Sequence, residues 1–356
     1  MIVLEGGFGP NDETAPALRL PDELWDSEND DALICQAVRQ ETHDVKTFVL
    51  RPVIPRRIRF QPGQFMTYAF EIGGETIHRC YTISSAPSRP DCISITVKRV
   101  PGGPVSNWLH DNLKPGMQLK ALGPMGAFTC YAHPAPRYLF LSGGSGITPL
   151  MSMARTFHDL GEQEDIVFVH SARTPADVIF GEELELMSRM SDKFRFVPVV
   201  EGVTPLAPFI GLRGRISSTM LEMITPDYLT REVFVCGPAP YMAAVRDQLA
   251  KAGFDMTKYH EESFNFDALP AADKSDVAIG EAMLEAAPDV KTYKVEFSKT
   301  RRAISVPENM TVLEAAKRAG MRLPSSCTQG LCGTCKSKKL SGTVDMHHQG
   351  GIRQRE

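Results

Sequence analysis

Three cysteines near the C-terminus, Cys327, Cys332 and Cys335, follow the spacing C-x4-C-x2-C. Thiolates are soft metal ligands, and this spacing is the plant-type pattern of [2Fe–2S] clusters. Gly330 and Gly333 lie among them and let a loop wrap closely and aim backbone N–H groups at sulfur. A structural zinc site is the alternative, although zinc ribbons favour paired C-x2-C units. The remaining cysteines, Cys35, Cys80, Cys92, Cys130 and Cys236, are scattered singly.

Two glycine-rich segments could hold phosphate. The first, Ser142-Gly143-Gly144-Ser145-Gly146-Ile147-Thr148-Pro149, closes the apolar run RYLFLSG and opens a helical stretch. A strand, a glycine turn and a helix N-terminus let a pyrophosphate approach bare backbone N–H groups, although the spacing here is not G-x-G-x-x-G. The second begins at Val97-Lys98-Arg99-Val100 and runs through Pro101-Gly102-Gly103-Pro104-Val105-Ser106 into the helical NWLHDNL. It offers the same kind of anion seat, or is a simple Gly-Gly turn with Ser106 as the N-cap. Upstream, Arg79-Cys80-Tyr81-Thr82-Ile83-Ser84-Ser85 alternates, with Arg79, Tyr81 and Ile83 on one face and Cys80, Thr82 and Ser84 on the other. Alone, it reads as an ordinary half-exposed strand. Cys236-Gly237-Pro238 ends the run EVFVCG at a strand's carboxyl end, where open α/β sheets bind ligands; a lone cysteine there also fits buried packing.

The elements that position these groups divide the chain. Residues 32–131 alternate apolar and polar side chains in short runs (ALICQAV, VKTFVL, QFMTYAF, CISITVKRV), which predicts an antiparallel β-barrel or sandwich. Residues 132–264 alternate apolar strands with helices, which predicts a doubly wound parallel sheet. Residues 265–290 are rich in Ala, Asp and Glu and read as a linker. Residues 291–356 read as a small α+β unit, and residues 1–31 as an N-terminal extension.

At 356 residues the chain has room for two or three domains. Its 39 Lys and Arg nearly balance 43 Asp and Glu, for a net charge of −4, and no block of like charge exists for nucleic acid or a membrane surface. The acidic, Pro- and Gly-broken N-terminus lacks the pattern of a secretory signal, and no run reaches the roughly 18 apolar residues of a membrane span. A cytoplasmic protein without nucleic-acid or membrane partners is expected. The histidines, including His347 and His348, read as surface or packing residues.

Taken together and in this order, the motifs resemble the ferredoxin–NADP reductase superfamily, in its oxygenase-reductase branch with a C-terminal ferredoxin domain. The stretches HRCYTISS, VKRVPGGPVSNWLHDNL, FLSGGSGITPLMSMAR, VFVHSAR, YHEESF and CGTCK resemble the reductases of glycine betaine and stachydrine demethylase systems in particular. The resemblance implies a flavin-binding barrel, a nicotinamide-nucleotide domain and a β-grasp ferredoxin domain. It implies that Arg79 contacts flavin phosphates, that Tyr81 lies on the ribityl side, and that Thr82 hydrogen-bonds near flavin N5, with Cys80 and Ser85 beside them. It assigns the FAD pyrophosphate to Val97, Lys98, Gly102, Gly103, Val105 and Ser106. The nicotinamide nucleotide is assigned to Gly143, Gly144, Gly146, Thr148, Pro149, Cys236, Gly237 and Pro238, with Cys236 beside the nicotinamide ring. Glu262 and Phe264 fall where the family packs residues against the isoalloxazine, and Thr82, Cys236 and Glu262 form the expected catalytic group.

Hydride donors give two electrons at once, whereas a [2Fe–2S] cluster takes one at a time. A flavin can stand between them, so the three sets of motifs make each other more coherent. The expected function is transfer of electrons from NADH through FAD and [2Fe–2S] to a Rieske-type oxygenase that N-demethylates a quaternary ammonium compound. A reductase for a hybrid-cluster or other redox protein, or a redox-sensing module, are the alternatives. Ser171 and Arg173 could accept a 2′-phosphate, so NADPH stays open beside NADH. The family supplies a fourth cluster thiolate beyond the third, yet none of residues 336–356 is cysteine. The ferredoxin-like domain is therefore expected to be incomplete at the C-terminus, as in a piece of a longer protein, or else its cluster site is degenerate.

Overall fold

The computed structural model describes residues 21–203, 209–264, 290–298, 300–321, 323 and 335–347. In the first unit β1 (Ala32–Thr42), β2 (Val45–Pro52), β3 (Phe65–Ile72), β4 (Glu75–Thr82), β5 (Ile93–Lys98) and β6 (Gln118–Met125) form one sheet in the order β4-β3-β6-β1-β2-β5. The described pairings within this sheet are antiparallel. An antiparallel bridge between Ile83 and Ile95 joins the two edges, closing a barrel. The period-2 pattern explains the closure: Leu33 and Cys35, Met66, Tyr68 and Phe70, and Ile93, Ile95 and Val97 all point into one core. Helix α1 (Pro104–Asn112) adds Val105 and Leu109 to it. Trp25 packs on this barrel from outside and donates its indole N–H to the Gly123 carbonyl at 2.8 Å.

The second unit is a parallel sheet in the order β10-β9-β8-β7-β11-β12. Its strands are β7 (Arg137–Gly143), β8 (Asp165–Ala172), β9 (Phe194–Val200), β10 (Leu212–Arg213), β11 (Glu232–Cys236) and β12 (Tyr259–Glu262). Phe140, Phe168 and Phe234 face α2 (Ile147–Leu160) and α3 (Gly181–Met190). Their neighbours Leu139, Leu141, Val167, Val169, Val233 and Val235 face α4 (Ser218–Ile224) and α5 (Ala239–Lys251). Burial on both faces is why these strands read as continuous apolar runs rather than alternating ones. Val45 and Cys130 of the preceding chain belong to the same apolar cluster as α2, so the barrel and the sheet share a packed junction.

The third unit pairs β13 (Thr292–Phe297) with β14 (Arg302–Pro307), antiparallel, and packs α6 (Val312–Arg318) on them through Ile304, Val306, Ala315 and Ala316. No helix among the described residues is long and apolar enough to cross a membrane.

Candidate active site

The Arg79–Ser85 segment forms the end of β4 and the turn beyond it. Cys80 pairs with Thr67 of β3, with its Sγ 3.4 Å from Thr67 Oγ1. Tyr81 packs against the barrel core beside Tyr68, with ring centroids 6.1 Å apart, and burial pushes its phenol pKa up. Past the strand, Ser84 and Ser85 spend their hydroxyls on the fold. Ser84 Oγ donates to the Ser94 carbonyl at 3.1 Å, and Ser85 Oγ accepts from the Ser94 N–H at 3.0 Å. Thr82 differs: it is buried, and its Oγ1 has no hydrogen-bond partner among the described residues. A buried hydroxyl left unpaired costs about 1–3 kcal/mol, so a polar group of a ligand facing Thr82 fits this position.

The turn after β5 is tight. Gly102 has φ +72°, which favours glycine, and Gly103 caps α1 without a side-chain hydrogen bond. The helix starts at Pro104, earlier than NWLHDNL, because proline's fixed φ suits the first helical position. Ser106 is consequently not the N-cap. Its hydroxyl lies inside the first turn, accepting from the Val100 N–H at 3.1 Å and donating to the Gly103 carbonyl at 3.3 Å. Val97 and Val105 are core side chains, so only their backbone could meet a ligand. Lys98 pairs with Asp44 at 2.9 Å. The guanidinium of Arg79 donates to the carbonyl of His78 at 2.8 Å.

At the carboxyl edge of the parallel sheet, register brings the second group together. Cys236 lies opposite Ser142 of β7 on one side and Glu262 of β12 on the other. A Cβ on Gly146 would come within 2.4 Å of the Cys236 carbonyl, and one on Gly237 within 3.1 Å of the Gly143 nitrogen, so these loops touch backbone to backbone. Gly144 has φ +53°, and α2 begins after Gly146 with no side-chain cap, which leaves its first N–H groups without a side-chain acceptor. Thr148 Oγ1 donates to the Ser145 carbonyl at 3.2 Å, bracing the turn, and Thr148 and Pro149 are buried. Pro238 precedes α5 and packs near Gly143.

Burial, reinforced by Glu262 once that carboxyl ionises, drives the Cys236 thiol pKa well up, so it stays protonated. Burial pushes the Glu262 carboxyl up to about 8, and its Oε2 has no partner among the described residues. Phe264 follows, partly exposed. On β8, the Ser171 hydroxyl is buried beside Tyr241, whereas Arg173 is exposed. His170 is fully buried between Ser142 Oγ, 2.8 Å from Nδ1, and the Ile179 N–H, and burial lowers its pKa to about 3, a neutral packing residue.

The sequence reading missed Ser152 and Arg155 on α2. Ser152 Oγ donates to the Ser85 carbonyl at 2.7 Å and Arg155 to the Ser84 carbonyl at 2.6 Å, which ties the turn after Thr82 to the nucleotide domain. Both residues sit within the quoted FLSGGSGITPLMSMAR, but their partners lie about 70 residues upstream, beyond any local signal. In the third unit Cys335 is partly buried, while Cys327 and Cys332 lie outside the described residues.

The chain matches known families in three stretches: Oxidoreductase FAD-binding domain over residues 33–130, Oxidoreductase NAD-binding domain over 140–247, and 2Fe-2S iron-sulfur cluster binding domain over 295–356. The glycine betaine monooxygenase reductase subunit of Chromohalobacter salexigens is 49% identical over 90% of this chain and 88% of that protein. The chain belongs to the oxygenase-reductase branch of the ferredoxin–NADP reductase superfamily. This reductase is also 40% identical to the stachydrine N-demethylase reductase subunit of Rhizobium meliloti, over 90% of this chain and 89% of that one. In fold it resembles the flavohem-like FAD/NAD binding domain of nitric oxide dioxygenase from Vibrio cholerae (TM-score 0.60, 24% identity), covering 66% of this reductase and 98% of that chain. It is an oxidoreductase with FAD, NAD and 2Fe-2S domains.

Proposed function

We propose that this reductase takes two electrons from NADH where the Thr82 strand meets the Cys236–Glu262 sheet edge. A [2Fe–2S] cluster, for which Cys327, Cys332 and Cys335 would supply three of the four thiolates, would pass them singly to a Rieske-type terminal oxygenase. That oxygenase N-demethylates a quaternary ammonium compound such as glycine betaine or stachydrine. The observation that carries the electron-transfer reading is the pair of buried polar atoms without partners among the described residues, Thr82 Oγ1 and Glu262 Oε2, on the two domains that this reading joins. The monooxygenase partner and the substrates come from the relatives' names, and the Rieske type from the family resemblance.

A bound flavin supplies two-electron acceptance and one-electron release. The chain's own residues do the positioning. Arg79 offers a cation, and the N–H groups of Val105 and Ser106 at the α1 start offer an anion seat on the barrel. The Gly143–Gly146 turn, Thr148 and the α2 N-terminus offer the same to a nucleotide pyrophosphate. Thr82 meets a polar edge with its hydroxyl. Cys236, a neutral thiol, would pack beside a bound nicotinamide without acting as a nucleophile. Below about 8 Glu262 keeps its proton, so it adds no negative charge beside an electron-rich centre and can donate a hydrogen bond there. NADH is favoured over NADPH because the Ser171 hydroxyl is turned into the buried space beside Tyr241, leaving Arg173 without its serine partner for a 2′-phosphate. A cytoplasmic location fits cysteines kept as free thiols.

Reconstitution with candidate Rieske oxygenases tests this. Glycine betaine or stachydrine should give one formaldehyde per NADH oxidised. Intact cytochrome c reduction with no formaldehyde from either would sink the partner and substrate assignment. A colourless protein that does not oxidise NADH would sink the reductase reading.

A further inference from the structure

We propose that His133, Glu232 and His260 form a binding site for a divalent transition-metal ion of the zinc and copper class. The three come from separate segments. His133 follows the turn Cys130–Ala132 on the chain leaving the barrel, Glu232 opens β11, and His260 lies on β12 opposite Phe234. The His133 and His260 rings stack with centroids 3.7 Å apart and planes 27° apart, and His260 Nε2 is 2.6 Å from Glu232 Oε1. One ligand atom from each residue lies within 4.8 Å of the other two. Zinc–nitrogen bonds of about 2.0–2.1 Å set tetrahedral ligand atoms about 3.4 Å apart, so rotations that turn the two rings out of their stack close the shell.

Two imidazoles and one carboxylate are a donor set that zinc and copper favour over magnesium or calcium, and three protein ligands leave a fourth position open. The Phe234 ring, 4.7 Å from that of His260, gives the site an apolar wall. Glu232 and His260 are each mostly shielded from solvent, and no Lys or Arg pairs with Glu232 among the described residues. The other comparable cluster, His43, Asp44 and Asp177, differs on this point. There Lys98 already sits 2.9 Å from Asp44, and Asp177 accepts from the Thr174 N–H and hydroxyl. The proposed site lies at the start of β11, at the opposite end of that strand from Cys236, so it is distinct from the nucleotide edge. An ion there would staple the connector leaving the flavin barrel to the outer strands of the nucleotide sheet.

The test uses the air-oxidised holoenzyme, in which FAD and the oxidised cluster are silent in electron paramagnetic resonance. One equivalent of added Cu2+ should show hyperfine coupling to two imidazole nitrogens, falling to one in His133→Ala. Zn2+ titrated by calorimetry should bind at this site in the wild type, and His260→Ala should weaken it by more than the roughly 10–100-fold that loss of an outer-shell partner costs. The Zn2+-dependent rise in Tm should disappear with it. His133 is partly exposed and lies outside the sheet, so its alanine variant keeps the test valid if His260→Ala fails to fold. The cysteines are unchanged in every variant, so thiolate-bound metal cancels in the comparison. Identical Cu2+ spectra and Zn2+ affinities in wild type and His133→Ala would overturn the proposal and leave the cluster a hydrogen-bonded, stacked packing contact.

Discussion

Replacing Arg155 by Met would keep the aliphatic stem and remove a guanidinium that holds two domains together. That group donates to the Ser84 carbonyl at 2.6 Å and to both oxygens of Glu183 at 2.8 and 2.6 Å, and it lies 4.6 Å from the Phe180 ring centroid. The charge-assisted bond to Ser84 is worth about 1.5–3 kcal/mol. The Glu183 carboxylate is 40% exposed, so its ion pair adds no more than about 1 kcal/mol after solvent screening. The ring contact adds about 0.5–1 kcal/mol. Losing all three weakens the junction by about 2–5 kcal/mol and frees the turn two residues beyond Thr82. A displacement on the order of 1 Å costs about 100-fold when reacting groups must be aligned. Stopped-flow flavin bleaching at saturating NADH should therefore slow by about 10- to 100-fold in Arg155→Met, with the cluster's visible circular dichroism unchanged. Arg155→Lys should rescue little, because an ammonium cannot reproduce the forked contact to Glu183 while reaching Ser84. An unchanged bleaching rate in a variant that retains its FAD would refute the reasoning. Parallel loss of the flavin and cluster signals would mean unfolding, not mispositioning.

Thr82→Ala should slow flavin reduction by about 10-fold or more while leaving the cluster spectrum intact, as measured in the same stopped-flow experiment. Cys332→Ser should abolish electron delivery to cytochrome c but spare ferricyanide reduction; equal loss of both would contradict the division of labour between flavin and cluster. Gly146→Ala places a Cβ 2.4 Å from the Cys236 carbonyl, so steady-state kinetics should show the NADH KM rising by about 10-fold or more, about 1.4 kcal/mol, with FAD content retained. For Glu262, the unfolded carboxyl releases its proton near 4.5 but the folded one keeps it to about 8, so the native state binds more protons between these values. Wild-type stability should accordingly fall relative to Glu262→Gln by up to about 1.4 kcal/mol per pH unit across that window and level off above it. Urea unfolding of the nucleotide domain, followed by hydrogen exchange on β12, reads the difference, and a pH-independent gap would show that the carboxyl titrates normally.

Much of the candidate site was legible because its motifs are local patterns. A glycine turn between an apolar strand and a helix, or a hydroxyl in a strand that alternates, needs only neighbouring residues to be recognised. The role of Ser106 was not legible. Whether it caps α1 or braces the turn behind it depends on where Pro104 starts the helix, one turn's difference that sequence leaves open. The same holds for Ser84, Ser85 and Thr82, three hydroxyls alike in sequence. Contacts across the barrel to Ser94 and Thr96 employ the first two, whereas Thr82 has no partner among the described residues.

The amino-acid sequence by itself determined the three-part order, the period of each part and the cofactor chemistry, since periodicity and motif spacing are local properties of a chain. The tertiary structure alone decided which residues meet. Strand register set Cys236 beside Glu262, and desolvation there raised both groups' pKa values. Packing of α2 against the barrel brought Arg155 to Ser84. Parallel pairing of β11 with β12 gathered Glu232 and His260 under His133. Burial and long-range pairing depend on the whole fold, and no window of sequence contains them.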